Sequence, residues 1–189
     1  MTDLIKKVKS GDLEAFSALV SMHEQKAINF ACRMLKDTHE AEDAVQEAFL
    51  RAFDKISTFR ENSTFSTWFF TILNNICLDI LRKRSRGADT ISIHKTDSND
   101  DEYELQIEDT SAGPYESLEK KAAAELLEKG LQQLSDEHRA VITLRDMNDF
   151  EYDQIAKILG ISLGTVKSRL SRARLALRKI LEENKELFL

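Results

Sequence analysis

The chain has 189 residues, a net charge of −6 and an apolar fraction of 42%, which is ordinary for a globular protein. One proline and six glycines among many helix-forming residues favour a mostly helical fold of one or two domains. No apolar run approaches the roughly 20 residues of a membrane span, and no secretion signal precedes the first helix, so we expect a cytoplasmic protein without membrane insertion. Its two cysteines and four histidines show no metal-ligand spacing, and no catalytic constellation is present. The sequence therefore predicts no cofactor, no metal site and no enzymatic activity.

Helical periodicity begins close to the N-terminus. A short helix is predicted over residues 4–9, and a longer one follows Asp12, which is a good N-cap, and continues to about Lys36. The apolar stripe of the longer helix contains Leu13, Phe16, Leu19, Val20, Ala27, Phe30, Ala31 and Met34. The spacing of these residues predicts that one face of this helix is buried.

Two further helices flank a polar loop at residues 57–66. The helix before the loop has an acidic outer face and an apolar face made of Ala41, Ala44, Val45, Ala48, Phe49, Ala52 and Phe53. The helix after the loop, which Ser66 or Thr67 would cap, carries its own apolar residues and ends in the basic segment RKRSR. We therefore predict that residues 1–86 form one helical domain with its own core.

Residues 87–113 interrupt the helical pattern. They are polar, and residues 96–119 contain nine acidic side chains and no lysine or arginine. Because the acid is concentrated there, the remainder of the chain is net positive. We interpret residues 87–113 as a flexible acidic linker with only a weak alternation that could form a short strand.

A second helical domain is predicted over residues 114–189. Pro114 suits the first turn of a helix, and Ser135 is a good N-cap for the following one. That following helix is expected to bury Val141, Ile142 and Leu144. The expected fold class is therefore all-α, with two helical domains joined by the linker.

The last two predicted helices have the pattern of a helix-turn-helix. Ala156, Gly160 and Val166 supply the small contact residue, the turn and the β-branched residue that this motif needs. The buried face of the final helix is predicted to contain Val166, Leu170, Ala173 and Leu177. Residues 163–181 contain six lysines or arginines and no acid. Solvated helices usually mix charge signs, so this pattern favours DNA binding.

Five aromatic residues are concentrated at positions 59–70, namely Phe59, Phe65, Trp68, Phe69 and Phe70. Two interpretations are open. The rings could form core, since several share helical spacing, or some could stack on unpaired bases while Asn74 or Asn75 reads a base edge. In the second interpretation, the basic residues near the loop and at the end of the fourth helix would hold the DNA backbone.

The motifs together resemble a known family. In chain order they are EAEDAVQEAFLRAF, FRENSTFSTWFFTILNNICLDILRKR, the acidic linker, and SDEHRAVITLRDMNDFEYDQIAKILGISLGTVKSRLSRARLALRKIL. Nearly the whole chain apart from the linker closely resembles the extracytoplasmic-function sigma factors, the two-domain class of the sigma-70 family. The resemblance implies a non-enzymatic protein that directs core RNA polymerase to promoters and helps to initiate transcription.

The resemblance also implies partners and site residues. The implied partners are promoter DNA, an anti-sigma factor, and the β′ clamp helices and β flap of core RNA polymerase. The residues implied to bind polymerase are Asp43, Gln46 and Glu47. Those implied to melt and read the minus-ten element are Phe59, Arg60, Asn62, Ser63, Phe65, Trp68 and Asn75, the last at a position that helps to hold a flipped-out base. Those implied to contact the minus-35 element are Thr165, Lys167, Ser168, Ser171, Arg172 and Arg174.

Two positions of the helix-turn-helix differ from the pattern common among relatives. Relatives often have Ser or Thr where this chain has Glu151, so either Glu151 or Asp149 could cap the helix-turn-helix. Relatives often carry a bulky or basic residue at Ser171, so a minus-35 sequence preference cannot be transferred.

The linker is either a tether or an acidic nucleic-acid mimic in a basic channel of the polymerase. A conventional helix-turn-helix regulator would leave the aromatic loop unexplained, and a pure interaction adaptor would leave the basic helix unexplained.

Overall fold

The computed structural model describes residues 2–60, 62–88 and 114–186, and every regular element in these ranges is helical. The first group contains α1 (Thr2–Lys9), α2 (Leu13–Leu35), α3 (Thr38–Lys55), a 3₁₀ turn (Ile56–Thr58) and α4 (Phe65–Ala88). The second contains α5 (Pro114–Gln133), α6 (Asp136–Ile142), a π-helical turn (Thr143–Met147), α7 (Tyr152–Leu159) and α8 (Leu163–Glu186). The predicted all-α class is confirmed. The predicted linker, residues 87–113, begins too early, because α4 continues through Gly87 and Ala88. The linker hypotheses and the weak strand pattern otherwise fall on residues 89–113, which lie outside the described residues.

Polar caps fix the ends of the helices in the first group. Asp12 Oδ1 accepts a hydrogen bond from the Ala15 N–H at 3.0 Å, which confirms the predicted cap of α2. The predicted stripe of α2 packs inward, except that Leu13 is 68% exposed. Leu13 lies across the helix from the buried Ala15, at an end where only one face of α2 is covered.

None of the described helices is long and apolar enough to cross a membrane.

The start of α4 differs from the prediction. Thr64 caps this helix, because its Oγ1 accepts a hydrogen bond from the Thr67 N–H at 3.2 Å. The predicted cap at Ser66 or Thr67 is therefore wrong, and Thr67 is a buried residue of the first turn. The earlier start places Phe65 inside the helix, where its ring packs against Phe69 with the ring centroids 6.0 Å apart.

The second group follows the predicted order. Ser135 Oγ accepts from the His138 N–H at 3.4 Å, which confirms the predicted cap of α6. The predicted core residues Val141, Ile142 and Leu144 are all buried. The π-helical turn that follows was not predicted from the sequence.

The two groups pack against each other through α2 and α4. The rings of Phe70 and Phe150 meet with their centroids 4.9 Å apart. Arg33 and Glu128 form an ion pair at 2.8 Å across the same boundary. Buried apolar side chains of both groups form one continuous cluster. Phe70 therefore belongs to the first group and completes its packing with a residue of the second group.

Arg139 also joins the two groups. It is 2% exposed, and its guanidinium donates hydrogen bonds to three backbone carbonyls. Two of them, Leu131 O at 3.1 Å and Leu134 O at 2.8 Å, lie at the end of α5, and the third, Met34 O at 2.9 Å, lies in the last turn of α2. Helix C-termini carry partial negative charge, so one buried cation stabilises the ends of two helices.

Candidate nucleic-acid interface

The helix-turn-helix is built by local backbone chemistry. Gly160 has a φ of 64°, as expected for a left-handed turn residue, and the Ile161 N–H donates to Ala156 O at 3.0 Å. Glu151 is the N-cap of α7, and its N–H donates to Gln154 Oε1 at 2.9 Å. This geometry settles the open choice of cap in favour of Glu151. Asp149 instead occupies the preceding turn with a φ of 60°.

Helix α8 separates an apolar face from a polar one. Val166, Leu170 and Ala173 are buried, and Leu177 is half-buried, which confirms the predicted packing face. The exposed face holds four of the predicted minus-35 residues, Lys167, Ser168, Ser171 and Arg172. Thr165 is half-buried and its hydroxyl lies 2.8 Å from that of Ser162, so its side chain is engaged in the first turn of the helix.

The cations of α8 differ in their ion pairs. Arg169 pairs with Glu137 at 2.8 Å. Arg174 pairs with Asp146, and its Nε donates to Asp146 Oδ2 at 3.0 Å, so this predicted minus-35 residue braces α8 against the π-helical turn. The hydrogen bond that Arg174 donates to Asp146 raises the pKa of Arg174. Nearer the C-terminus of α8, Arg178 pairs with Glu182 and Lys179 with Glu183. Within the described ranges, Lys167 and Arg172 have no acidic partner, so no ion pair neutralises their charge.

The aromatic cluster before and within α4 is largely core. Phe59 and Phe65 are each 2% exposed, and Phe69 and Phe70 are fully buried. The Phe59 ring packs on Trp68 with the centroids 5.2 Å apart. A base can stack only on an exposed ring face, so the burial of Phe59 and Phe65 favours the packing interpretation, and base contacts by these two residues stay a prediction. Trp68 is half-buried and keeps part of its ring accessible.

The remaining predicted minus-ten residues lie at the surface. Arg60, Asn62 and Asn75 are exposed, and Ser63 is half-buried. Asn75 follows Trp68 by two helical turns, so both lie on one side of α4. Two lysines from other helices contact the loop backbone: Lys9 Nζ donates to Phe59 O at 2.8 Å, and Lys157 Nζ to Asn62 O at 3.4 Å. Sequence reasoning missed both lysines, because backbone carbonyl partners leave no pattern in the sequence.

The predicted polymerase-binding residues lie on α3. Asp43 and Gln46 are exposed, whereas Glu47 is half-buried and accepts a hydrogen bond from Arg51 Nε at 2.6 Å. Leu50 was missed, although its side chain is 63% exposed and it shares the face of Asp43 and Gln46. An apolar residue on an otherwise polar helix face could have indicated it.

The two cysteines lie in helices of the first group. Cys77 is buried and Cys32 is half-buried, and neither forms a disulfide bond. Burial raises the pKa of the Cys77 thiol to about 12. Within the part of the chain that the structure describes, no group of three or more His, Cys, Asp or Glu residues is placed to hold a metal ion.

Comparisons with known proteins agree with these features. Residues 19–87 match the family described as Sigma-70 region 2, and residues 124–177 match Sigma-70, region 4. The chain is 33% identical over 188 residues to the ECF RNA polymerase sigma factor SigW of Bacillus subtilis strain 168, with 95% of each chain covered. It is 28% identical over 174 residues to the ECF RNA polymerase sigma-E factor of Escherichia coli K12, with 92% of this chain and 90% of that one covered.

Two solved structures share the fold. The chain is similar to the sigma factor RpoE in complex with the anti-sigma factor NepR from Bartonella quintana, with a TM-score of 0.65, 29% identity, and 88% of this chain and 96% of that one covered. It is similar to CnrH in complex with the cytosolic domain of CnrY, with a TM-score of 0.67, 25% identity, and 95% and 96% covered. Two sigma regions in the expected order and full-length similarity to SigW together place this chain in the extracytoplasmic-function sigma factors of the sigma-70 family.

Proposed function

We propose that the chain binds core RNA polymerase and directs it to promoters whose minus-35 element is read by α8. The observation that carries this proposal is the exposed face of α8. Lys167 and Arg172 lack acidic partners there, and the hydroxyls of Ser168 and Ser171 are exposed beside them. The major groove of DNA admits a helix. Cationic side chains of such a helix can contact phosphates or guanine, and hydroxyls can hydrogen-bond to any base. Thr165 and Arg174 are secondary candidates, because Thr165 is half-buried and the charge of Arg174 is paired with Asp146.

The proposed minus-ten site is smaller than the sequence predicted. Arg60, Asn62, Ser63 and Asn75 supply polar contacts, and the accessible part of Trp68 supplies a stacking surface. Phe59 and Phe65 support this surface from below. Capturing an unpaired base costs unstacking energy of a few kcal/mol, which the contacts in the complex would offset.

Polymerase binding is proposed for the exposed face of α3, with Asp43 and Gln46 as polar contacts, Glu47 at the edge and Leu50 as an apolar contact. In this proposal residues 1–86 and 114–189 act as separate functional units, and residues 87–113 connect them. No step requires covalent chemistry by the chain, so we propose that it is not an enzyme and works in the cytoplasm, where polymerase is found.

The packed arrangement must open when both promoter elements are bound. Elements centred near positions −35 and −10 are about 25 base pairs apart, or about 85 Å of B-form DNA at ~3.4 Å per base pair. In the structure, by contrast, Lys157 of the helix-turn-helix contacts Asn62 in the loop that precedes α4, here named the minus-ten loop. The roughly 25 residues between α4 and α5 could reach about 85 Å when fully extended. We therefore propose that promoter binding by the holoenzyme selects an open form.

We also propose an anti-sigma partner that holds the two groups together. RpoE was solved in complex with the anti-sigma factor NepR, and CnrH in complex with the cytosolic domain of CnrY. This chain matches both of them over most of its length with its two groups packed. A partner that contacts both groups would favour the closed form and so prevent the chain from joining polymerase.

One experiment tests the central proposal. The purified chain is added to core RNA polymerase with a library of randomised DNA, and the transcribed templates are sequenced. A sigma factor yields transcripts from templates that share two spaced elements, whereas core polymerase alone yields none. A conventional helix-turn-helix regulator would bind duplex DNA without polymerase and yield no enriched templates, and that result would refute the proposal.

A further inference from the structure

Helix α1 has no role in the function proposed so far, and the region 2 match begins only at residue 19. The helix is nevertheless held firmly. Ile5 and Val8 are 4% and 1% exposed in the core of the first group. Gly11 turns the chain with a φ of 91°, and the Asp12 N–H donates to Lys7 O at 3.1 Å. The direction of α1, and therefore the position of its last residue, is fixed relative to α2.

That last residue, Lys9, reaches the base of the minus-ten loop. Its Nζ donates to Phe59 O at 2.8 Å and lies 5.7 Å from the centroid of the Phe59 ring. Among the described residues, no carboxylate pairs with Lys9. The Lys9 ammonium therefore interacts with a carbonyl and an aromatic ring instead of a carboxylate. Its hydrogen bond to the carbonyl is charge-assisted, and such bonds are stronger than hydrogen bonds between neutral groups.

The bonded carbonyl is at the point where the loop leaves the core. Phe59 is 2% exposed, and the next residue, Arg60, is exposed. The Phe59 carbonyl and the Arg60 N–H belong to the same rigid peptide plane. A bond that fixes the carbonyl therefore fixes the direction in which the Arg60 backbone enters the loop.

We propose that Lys9 is a positioning residue for capture of the minus-ten strand. It holds the peptide between Phe59 and Arg60 so that Arg60 and Asn62 face the unpaired bases before DNA arrives. This inference rests on the proposed function, in which the loop captures the strand. Without the bond, the loop would have to be ordered during melting, and that ordering would slow strand capture.

The test uses full-length variants reconstituted with core RNA polymerase on a promoter recovered from the randomised library. Lys9→Met keeps an unbranched apolar stem but removes the donor and the charge, whereas Lys9→Arg keeps both. Lys7→Met is the matched control, because Lys7 is exposed on the same helix and its side chain does not contact the loop. Melting is followed by permanganate reactivity of unpaired thymines, and upstream binding by affinity for a duplex that carries only the minus-35 element.

Lys9→Met is expected to slow melting about ten-fold, the scale of one lost charge-assisted hydrogen bond. Its affinity for the minus-35 duplex and the salt dependence of promoter binding should match those of the wild type. Lys9→Arg should restore melting to within about two-fold, and Lys7→Met should behave as the wild type. Amide hydrogen exchange at residues 60–63 of the free protein should be faster in Lys9→Met than in Lys7→Met.

Several results would overturn the inference. Wild-type melting by Lys9→Met, or no rescue by Lys9→Arg, would show that the bond to Phe59 does not position the loop. An equal loss of minus-35 binding would show a general folding defect. A salt slope reduced by about 0.7 would show a direct phosphate contact in place of a positioning role. If the wild-type holoenzyme recovers no promoter at all, the proposed function fails instead, and the two failures are thereby distinguished.

Discussion

Asn74→Leu is expected to hold the two helical groups closed and so to weaken binding to core RNA polymerase. Asn74 is 1% exposed, and its Oδ1 has no hydrogen-bond partner. It follows Phe70 by one turn of α4, so it lies on the side of the helix that meets Phe150. Leucine has nearly the same shape as asparagine and no polar atom to leave unsatisfied.

The magnitude follows from the cost of the orphaned oxygen. A buried amide oxygen without a partner costs about 1–3 kcal/mol. We expect opening to remove this cost by letting water reach the amide, because Asn74 lies on the side of α4 that meets the second group. Removing it should therefore raise the ratio of closed to open protein about 5- to 150-fold. The apparent Kd of a partner that binds only the open form rises by the same factor, because it scales inversely with the open fraction.

Asn148→Leu provides a matched control of opposite sign. Asn148 Nδ2 donates to Lys26 O at 3.3 Å across the boundary, so this variant removes a hydrogen bond that stabilises the closed form. The closed fraction is measured by fluorescence energy transfer between labels on α3 and α8, and polymerase affinity by titration. The reasoning is refuted if Asn74→Leu leaves both quantities unchanged, or shifts them in the same direction as Asn148→Leu.

Three further predictions concern single residues. Arg172→Ala should reduce promoter-specific transcription about ten-fold with the protein still folded. Replacing the ion-paired Arg174 by alanine should have a smaller effect. The opposite order of effects in run-off transcription assays would reverse our assignment of the two residues. Asn75→Ala should impair open-complex formation, measured by permanganate reactivity, more than minus-35 duplex binding, whereas equal losses would indicate a packing role. Because burial raises the pKa of Cys77 to about 12, the native protein holds almost no Cys77 thiolate at pH 8. Iodoacetamide should therefore modify Cys77 only upon unfolding. Mass spectrometry that finds Cys77 modified as fast as the half-buried Cys32 would contradict this expectation.

Features that depend on neighbours in the sequence were predictable. The cap at Ser135 and the turn at Gly160 follow rules that involve only a few adjacent residues. The buried face of α8 follows from its spacing of apolar residues, and the structure confirms it. The cap of α4 was misplaced because Thr64, Ser66 and Thr67 are all capping residue types within one turn. The choice among them depends on where the Phe65 ring finds its packing partner, which is tertiary information.

The aromatic cluster shows a second limit of sequence reasoning. A cluster that contains Phe59, Phe65 and Trp68 is consistent with a surface for stacking bases and also with a small core. Composition alone cannot separate these two alternatives. The structure separates them by burial, since Phe65 also packs edge-on against the ring of His23 with the centroids 5.2 Å apart. The polar loop residues Arg60 and Asn62 were better indicators of an accessible site, because polar side chains are not stabilised by burial in an apolar core, and both are exposed.

The closed arrangement itself could not have been predicted, and Arg139 shows why. The sequence places it as one more cation near the end of a short helix, a position that usually faces water. Its three acceptors are backbone carbonyls, which every residue carries and which therefore leave no pattern to read. Two of the three bonds close the end of α5 and need only the second group, whereas the bond to Met34 forms only when the groups meet. Burial lowers the pKa of Arg139, and Asp136 at 3.2 Å opposes that shift. The cation is thus retained by contacts within its own group and is available to join α2 whenever the groups close.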